Sequence, residues 1–142
     1  MPPFEVVDQD GQVVRSQDFI GHGRKTIIYF YPKDNTSGCT AEACSFRDNY
    51  AELTAQGYNV VGVSKDSAKS HSGFRARYEL PFRLLSDPSM EMLQAFGAWS
   101  EKKMYGKTTL GTLRRTFIFA EDGILERIID KVDTKNAAGQ IL

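Results

Sequence analysis

Hydrophobic and polar positions change their period along the chain, and this change predicts alternating strands and helices. Thr26–Tyr31 and Asn59–Val63 are short runs that are apolar on both faces, which is typical of buried central strands. Between them, a stretch from about Cys39 to Ala55 has an apolar stripe at helical spacing. We expect one continuous helix there, ending at Gly57.

Two β-hairpins are predicted outside this central pattern. Phe4–Val7 and Gln12–Arg15 flank one Asp-Gly turn, and Leu113–Ala120 and Ile124–Ile129 flank another. Such dipeptides between apolar segments favour the tight turns that join antiparallel strands. We therefore expect antiparallel strands in addition to the central ones.

Three further helices are predicted in the second half of the chain. Ser67 is expected to cap a helix that ends near Tyr78, because a serine hydroxyl can accept a hydrogen bond from a free N–H at a helix start. Ser89 is expected to cap a helix over Met90–Phe96. A last helix is predicted after Thr134.

The order of these elements indicates the fold class. With Phe82–Leu85 as a further short strand, the order is hairpin, strand, helix, strand, helix, strand, helix, hairpin, helix. Strands alternating with helices imply right-handed crossovers and a parallel sheet core, to which the hairpins add antiparallel strands. The expected fold is α/β and thioredoxin-like, with a mixed central sheet, helices on both faces and an N-terminal β-hairpin. We expect one such domain over residues 1–142.

Composition narrows the class of protein. The 142 residues suit one domain, and 18 basic residues balance 18 acidic ones. This neutral balance argues against nucleic acids and anionic membranes as partners, because both bind basic surfaces. No apolar run reaches the ~20 residues of a transmembrane helix, and the first residues lack the pattern of a secretory signal. The expected location is the cytoplasm.

Two cysteines, Cys39 and Cys44, are the main candidates for chemistry. They are too few for a disulfide scaffold, so they are inert core residues, metal ligands or redox-active thiols. Cys39 follows a buried strand and a polar loop, at the start of the predicted helix. Free backbone N–H groups and the helix dipole there favour a thiolate, which is the nucleophilic form. This position favours the reactive interpretation of Cys39.

Cys44 lies five residues further along the same predicted helix. Five helical residues rise about 7.5 Å and rotate about 140°, whereas a disulfide needs Cα atoms within roughly 7 Å of each other. A Cys39–Cys44 disulfide would therefore require the first helical turns to unwind, which would couple redox state to a local conformational change. Burial of Cys44 on the apolar face of its helix is compatible with this interpretation.

The segment FYPKDNTSGCTAEACSFRDNY, residues 30–50, resembles the active-site segment of the peroxiredoxins. Its pattern is Pro32, three residues, Thr36, two residues and Cys39. The second cysteine five positions on marks the peroxiredoxin Q or bacterioferritin-comigratory-protein subfamily. The resemblance continues through VVGVSKDS, LLSDPSMEMLQAFGAW, EKKMYGK and LRRTFIFAEDG, so it covers nearly the whole chain in order. Ser37 departs from the subfamily pattern, which usually has proline there.

The resemblance implies a role for each matching residue near the cysteines. Cys39 corresponds to the peroxidatic cysteine, and Cys44 to the thiol that closes a disulfide on it. Thr36 corresponds to the hydroxyl that hydrogen-bonds the thiolate and the peroxide. Pro32 corresponds to the residue that shields the pocket from bulk water.

An Arg-x-Thr-Phe pattern on a later strand implies the position of the family's active-site arginine. Arg114 matches this pattern, with Arg115 as the adjacent alternative. Successive side chains on a strand point to opposite faces, so only one of the two can reach the pocket. Glu42 corresponds to the carboxylate that orients the arginine.

The activity that the resemblance implies is that of a thioredoxin-dependent peroxidase, an atypical two-cysteine peroxiredoxin. Hydrogen peroxide and organic hydroperoxides are the expected substrates, and thioredoxin or a similar dithiol is the expected reductant. No metal or organic cofactor is required by this chemistry. The resemblance also implies that the chain acts as a monomer.

Three other interpretations of the cysteines are possible from the sequence. A structural metal site usually takes four ligands at tight spacing, and we interpret His22 and His71 as plain surface residues. A disulfide reductase of the thioredoxin type needs two cysteines separated by two residues, whereas four intervene here. A non-catalytic redox sensor or a holdase could use the same thiol switch, and steady-state turnover with peroxide would distinguish it from an enzyme.

Overall fold

Strands and helices alternate along most of the chain. A computed structural model describes residues 1–104 and 106–142, and for residues 102–104, 107 and 108 it describes the backbone alone. The strands are β1 Glu5–Val7, β2 Val13–Arg15, β3 Lys25–Phe30, β4 Tyr58–Ser64, β5 Arg83–Ser86, β6 Trp99–Met104, β7 Lys107–Thr112, β8 Arg115–Phe119 and β9 Leu125–Ile129. The helices are α1 Ser37–Asp48, α2 Tyr50–Ala55, α3 Ala68–Tyr78 and α4 Glu91–Ala95. Within the described residues, none of these helices has both the length and the apolar character needed to cross a membrane.

Seven of the described strands form one mixed sheet in the order β2-β1-β5-β4-β3-β8-β9. β3, β4 and β5 are parallel neighbours, β8 is antiparallel to β3, and the two predicted hairpins form the edges of the sheet. This confirms the mixed α/β fold predicted from the alternation of periods. β6 and β7 form a separate two-stranded hairpin, which the sequence pattern did not predict.

β3 is an interior strand of the sheet, between β4 and β8, and both its faces are buried. Ile27 and Tyr29 belong to the core cluster that contains Cys39, whereas Ile28 and Phe30 belong to the cluster on the opposite face. This alternation explains why the run is apolar at every position rather than at every second one. The loop that follows β3 therefore starts from a strand that packs against a core cluster on each face of the sheet.

Gly62 of β4 allows Tyr29 to pack directly against the neighbouring strand. The two residues are register partners, and a Cβ at position 62 would lie 2.8 Å from both the Cζ and the hydroxyl oxygen of Tyr29. The Tyr29 ring also packs on Phe46 of α1, with 4.7 Å between ring centroids. The glycine thus determines where the Tyr29 hydroxyl lies.

The prediction of one helix over Cys39–Ala55 is wrong, because the chain forms α1 and α2 there. The break lies at Asn49, whose backbone has φ −111° and ψ 12°. The Asn49 side-chain amide donates to the carbonyl of Ser45 at 2.9 Å. Asparagine competes with regular helix hydrogen bonds in this way, and hydrophobic periodicity does not reveal it.

The start of α4 also differs from the prediction, because Asp87 rather than Ser89 caps it. The Asp87 carboxylate accepts from the N–H of Leu93 at 2.7 Å and from that of Met92 at 3.3 Å. Met90 is in the left-handed region, with φ 63°. Because of this turn, the first N–H groups of α4 face the Asp87 carboxylate. A rule that looks only for a serine directly before the helix does not predict this contact.

The segment after Thr134 forms turns instead of the predicted helix. A side chain bonds the backbone there, since Gln140 Oε1 accepts from the N–H of Asp133 at 3.1 Å. The N–H of Ala138 donates to the Ser45 hydroxyl of α1 at 3.1 Å. The segment also has single turns of its own, in which the N–H of Gln140 donates to the carbonyl of Asn136 at 3.1 Å, but they do not continue into a helix.

Candidate active site

Cys39 is the third residue of α1, just after the loop that follows β3. α1 begins at Ser37, and Thr36 before it is in an extended conformation. The cysteine is buried, with 1% of its surface exposed. A helix start carries free N–H groups and partial positive charge, and Cys39 lies within this first turn. The structure thus places Cys39 at the helix start that the sequence predicts.

The register between β3 and β8 brings Arg114 to Cys39. Arg115 is the partner of Phe30 in this antiparallel pair, so Arg114 lies just beyond the end of β3, where the loop begins. Arg114 Nη2 donates to Cys39 Sγ at 3.2 Å. Arg115 instead donates to the carbonyl of Gly97 at 3.0 Å. The two arginines point in different directions, and Arg114 is the one beside the thiol.

Glu42 lies one helical turn after Cys39 and holds the other side of the guanidinium. Arg114 Nη1 donates to Glu42 Oε1 at 2.7 Å, and the carboxylate is fully buried whereas 23% of the arginine side chain is exposed. Burial raises the pKa of Glu42 from 4.5 to about 7, and the guanidinium opposes this rise. Burial lowers the pKa of Arg114, but Glu42 and Cys39 raise it by more, so the guanidinium stays charged. We call Cys39, Glu42 and Arg114 the Cys39–Arg114 cluster.

Pro32 and Thr36 lie in the loop between β3 and α1. Pro32 is half-buried and Thr36 is exposed. The Thr36 hydroxyl donates to the carbonyl of Lys33 at 2.8 Å, and the Thr36 carbonyl accepts from the N–H of Thr40 at 2.8 Å. The expected hydrogen bond from Thr36 to Cys39 is not among the contacts of the described residues. The Thr36 hydroxyl proton is donated within the loop, to Lys33, and the hydroxyl oxygen can still accept a hydrogen bond.

Cys44 lies in the middle of α1 and is half-buried. Both cysteines are free thiols. They belong to one continuous helix, five residues apart, and this spacing keeps the Cα atoms and the Cβ directions outside disulfide geometry. The helix start must unwind before the two sulfur atoms can meet.

Two buried oxygen atoms beside this cluster have no hydrogen-bond partner among the described residues: Glu42 Oε2 and the Tyr29 hydroxyl. Burial raises the pKa of Tyr29 well above its ordinary value, and the charges of Glu42 and Cys39 raise it further, so the hydroxyl keeps its proton. Buried polar atoms in proteins are rarely left unpaired. The two oxygens therefore retain hydrogen-bonding capacity close to the thiol.

The structure corrects the interpretation of His71 as a surface residue. Ser67 caps α3 as predicted, and His71 on the first turn of this helix is fully buried. Its Nδ1 lies 2.7 Å from Asp34 Oδ2, and its Nε2 lies 2.9 Å from the carbonyl oxygen of Leu85. His22, by contrast, is exposed in a loop as expected.

Asp34 is at the centre of a buried polar group that sequence reasoning missed. Its Oδ1 accepts from the Tyr31 hydroxyl at 2.6 Å, and its Oδ2 accepts from the Ser70 hydroxyl at 2.8 Å. Its N–H donates to Asp66 Oδ2 at 2.9 Å. Asp34 and His71 are 37 positions apart in the chain, so no local pattern indicates their contact. The group, which we call the Asp34–His71 cluster, comprises Tyr31, Asp34, Ser64, Asp66, Ser70 and His71.

Within the described residues, one group of side chains is close enough to be considered as a metal site. The ligand atoms of Asp34, Asp66 and His71 all lie within 4.8 Å of one another. Each of them is already engaged in hydrogen bonds, including a bond from the Ser64 hydroxyl to Asp66 Oδ2 at 2.6 Å. A metal ion would have to displace several of these bonds. The arrangement therefore favours a hydrogen-bonded cluster over a metal centre.

The Cys39–Arg114 cluster combines a nucleophile with fixed donors. A thiolate at Cys39 is stabilised by the helix start and by the guanidinium of Arg114. The same donors can stabilise negative charge on a group that the thiolate displaces. The exposed part of Arg114 leaves one side of the cluster open to a small molecule. The arrangement therefore suits nucleophilic attack by sulfur on a small electrophile.

Comparisons with known proteins match the chain to one family along most of its length. The model of the AhpC/TSA family matches residues 1–128. Peroxiredoxin Bcp of Escherichia coli is 42% identical over 135 residues, which are 95% of this chain and 85% of that protein. The family match therefore includes all three residues of the Cys39–Arg114 cluster.

Solved structures agree with the sequence comparison. The bacterioferritin comigratory protein of Xanthomonas campestris superposes with a TM-score of 0.90 at 34% identity, over 97% of this chain and 87% of that chain. A cysteine mutant of peroxiredoxin Q from the same organism superposes with the same TM-score at 35% identity and the same coverage. The similarity therefore extends from the motif to the whole backbone.

Proposed function

The chain belongs to the peroxiredoxin Q and bacterioferritin-comigratory-protein subfamily of the peroxiredoxins, within the AhpC/TSA family, and on this premise we propose that it reduces hydroperoxides through Cys39. In this proposal Cys39 becomes a sulfenic acid, Cys44 closes a disulfide on it, and a dithiol of the thioredoxin type reduces that disulfide. The observation that carries the proposal is the 3.2 Å hydrogen bond from Arg114 to the Cys39 sulfur at a helix start.

The first step is attack of the Cys39 thiolate on one peroxide oxygen, in line with the O–O bond. The S–O bond forms while the O–O bond breaks, and the leaving oxygen takes the bonding electron pair. Proton transfer makes this leaving group water or an alcohol, and the cysteine is left as a sulfenic acid. Arg114 and the N–H groups of the helix start stabilise the charge that develops on the leaving oxygen.

Thr36, Pro32 and Glu42 have supporting roles in this step. The Thr36 oxygen can accept a hydrogen bond from the peroxide while its own O–H donates to the carbonyl of Lys33. Pro32 limits the access of water to the thiol. The buried Glu42 carboxylate orients Arg114 through the 2.7 Å ion pair. The supporting residues therefore position the peroxide and the guanidinium rather than react themselves.

The second step joins the two cysteines of α1. The Cys44 sulfur attacks the Cys39 sulfenic acid, the S–O bond breaks, and water leaves as the disulfide forms. The first turns of α1 must unwind for this to happen, because the wound helix keeps the two residues apart. An external dithiol then reduces the disulfide by thiol exchange and is itself oxidised.

The substrate class and the working state are part of the proposal. Both hydrogen peroxide and organic hydroperoxides are proposed substrates, and the study of the Xanthomonas campestris protein concerns its alkyl peroxide reduction activity. We propose that residues 1–142 act as one domain and as a monomer in the cytoplasm, where a thioredoxin system keeps dithiols reduced. Sedimentation at micromolar concentration tests the monomer, since a concentration-dependent dimer would contradict it.

Mass spectrometry after one equivalent of peroxide tests the chemistry. The wild-type chain should lose two hydrogens, and digestion should yield a Cys39–Cys44 disulfide. Cys39→Ser should consume no peroxide. Cys44→Ser should give a trappable sulfenic acid in one turnover but should not recycle with thioredoxin. Peroxide consumption by Cys39→Ser would refute the assignment of the nucleophile.

Steady-state turnover distinguishes an enzyme from a thiol switch that only signals. With thioredoxin, thioredoxin reductase and NADPH, the wild-type chain should consume many equivalents of peroxide per subunit. A sensor or a holdase would react once and stop, even though its disulfide could form. A single equivalent consumed in the presence of this reducing system would therefore contradict a peroxidase.

A further inference from the structure

Asp34 lies two residues before Thr36 and is held from several sides. Its carboxylate accepts from Tyr31, at the end of the central strand, and from Ser70 and His71 on α3. Its N–H donates to Asp66 in the loop that follows β4. The loop before the reactive cysteine is therefore tied to three parts of the fold at a single residue.

Proton counting shows that a hydrogen bond joins His71 to Asp34. The Leu85 carbonyl can only accept, so His71 Nε2 carries a proton. A second proton must lie between His71 Nδ1 and Asp34 Oδ2, which are 2.7 Å apart. Asp34 also accepts from two hydroxyl groups, those of Tyr31 and Ser70. Both ring nitrogens of His71 are therefore engaged, whichever of the two side chains carries the shared proton.

The held residue is connected to Cys39 by a short, closed turn. Asn35 is in the left-handed region, with φ 63°. The Thr36 hydroxyl then bonds back to the carbonyl of Lys33 at 2.8 Å, and α1 starts at the next residue. The position of the helix start relative to Arg114 therefore depends on where Asp34 is held.

We propose that the buried, hydrogen-bonded Asp34–His71 pair is a positioning device that holds the loop before Cys39 in the conformation that reacts with peroxide. The inference rests on the proposed peroxidase function and deepens it. Loosening the pair displaces the helix start from Arg114 and slows attack on peroxide. It does not slow disulfide formation, because that step requires the helix start to leave this position. Asp34 and His71 are thus positioning residues, which act through the loop.

Two substitutions of His71 separate its two hydrogen bonds. An asparagine amide can take the place of Nδ1, so His71→Asn can keep the bond to Asp34 and loses the bond to Leu85. A glutamine amide can take the place of Nε2, so His71→Gln can keep the bond to Leu85 and loses the bond to Asp34. Rapid-quench mass spectrometry measures sulfenic acid and disulfide separately in each variant. We expect His71→Gln to slow sulfenic acid formation on the order of 10-fold, as small misplacements in active sites do, without slowing disulfide formation.

The ranking of the two variants decides the outcome. His71→Asn should slow the peroxide step by a smaller factor than His71→Gln, and the matched changes His22→Asn and His22→Gln at the exposed histidine should leave both steps unchanged. Equal rates in both His71 variants, the reverse ranking, or slowing of both chemical steps together would overturn the positioning role. A wild-type chain that forms sulfenic acid but no disulfide would contradict the resolving step of the proposed function alone.

Asp34 variants and a spectroscopic signature keep the proposal testable if a His71 variant does not fold. Asp34→Asn can bond Tyr31 through its oxygen and His71 through its amide, provided that His71 is neutral. It should therefore react with peroxide faster than Asp34→Ala. ¹H NMR of the wild-type chain should show a downfield, slowly exchanging proton from the hydrogen bond between His71 and Asp34, and Asp34→Ala should lose this signal. The same His71 ring signals in the wild type and in Asp34→Ala would overturn the pair, independently of any peroxide chemistry.

Discussion

Two buried polar clusters involve the segment from β3 to α1, and they differ in how many of their polar atoms have hydrogen-bond partners. In the Asp34–His71 cluster, both carboxylate oxygens of Asp34 and both ring nitrogens of His71 have partners. In the Cys39–Arg114 cluster, Glu42 Oε2 has no partner among the described residues, and 23% of the Arg114 side chain is exposed.

This difference indicates that the Asp34–His71 cluster supports the fold and that the Cys39–Arg114 cluster is the reactive site. A buried network in which every group is paired is rigid and costly to break, since the low dielectric strengthens each bond. A cluster with an open side and unpaired atoms retains donors and acceptors for an incoming molecule, at some cost in stability. We infer that the reactivity of Cys39 depends on both: the paired cluster holds the loop, and the unpaired one meets the substrate.

The largest expected effect is the loss of stability when the paired cluster is broken. Asp34→Ala removes the shared partner of Tyr31, Ser70 and His71, and each buried polar group left unpaired costs about 1–3 kcal/mol. Urea denaturation measures the change in the free energy of unfolding. Asp48→Ala, at an exposed carboxylate on α1, is the matched control and should stay within about 0.5 kcal/mol of wild type. Similar losses of unfolding free energy in the two variants would contradict the inference that the paired cluster stabilises the fold more than a surface carboxylate does.

The next largest effect is on the rate of the first chemical step. Arg114→Ala removes the donor at the Cys39 sulfur and should slow sulfenic acid formation by ~10²–10³-fold, as the loss of one preorganised donor does. Arg115→Ala is the control, because that side chain bonds Gly97 instead, and it should be nearly as fast as wild type. Stopped-flow kinetics with hydrogen peroxide measures both. The opposite ranking would move the role to Arg115.

Glu42→Gln should change how stability depends on pH. The folded pKa of Glu42, about 7, is above its ordinary 4.5, so between these values the folded state binds more protons than the unfolded state. The stability that this group contributes is therefore full below pH 4.5 and is lost as the pH rises to 7. Relative to Glu42→Gln, the wild type should lose at most about 3 kcal/mol across this window, at ~1.4 kcal/mol per pKa unit.

Denaturation series of both proteins from pH 4.5 to 8 would check this dependence. Glutamine keeps an acceptor for Arg114, so the comparison isolates the titrating charge. Parallel pH profiles in the two proteins would show that Glu42 does not titrate in this range.

The smallest effect concerns the unpaired hydroxyl of Tyr29. Tyr29→Phe removes a buried group that has no partner among the described residues, so it should leave stability unchanged or increase it by up to ~1 kcal/mol. Tyr31→Phe is the matched control, because its hydroxyl donates to Asp34 at 2.6 Å, and it should destabilise the chain by ~1.5–3 kcal/mol. Thermal unfolding measures both. A larger loss of stability in Tyr29→Phe than in Tyr31→Phe would contradict the distinction between the unpaired and the paired cluster.

Local sequence patterns anticipated the parts of the fold that depend on neighbouring residues. The two hairpins, the central strands and the Ser67 cap were predicted correctly because turn dipeptides, apolar runs and caps act over a few positions. The α1–α2 break at Asn49 and the Asp87 cap were missed, because in each case one polar side chain competes for backbone groups that periodicity does not count.

The sequence by itself determined that Cys39 follows a central strand at a helix start and that Cys44 lies five residues further on. The family resemblance and the position of the thiol both follow from this arrangement. Only the tertiary structure decided which arginine lies beside the thiol, because the β3–β8 register turns Arg114 toward Cys39. It also decided that His71 is buried against Asp34, 37 positions away. Contacts between distant residues arise when the sheet and helices pack together, and no local pattern encodes them.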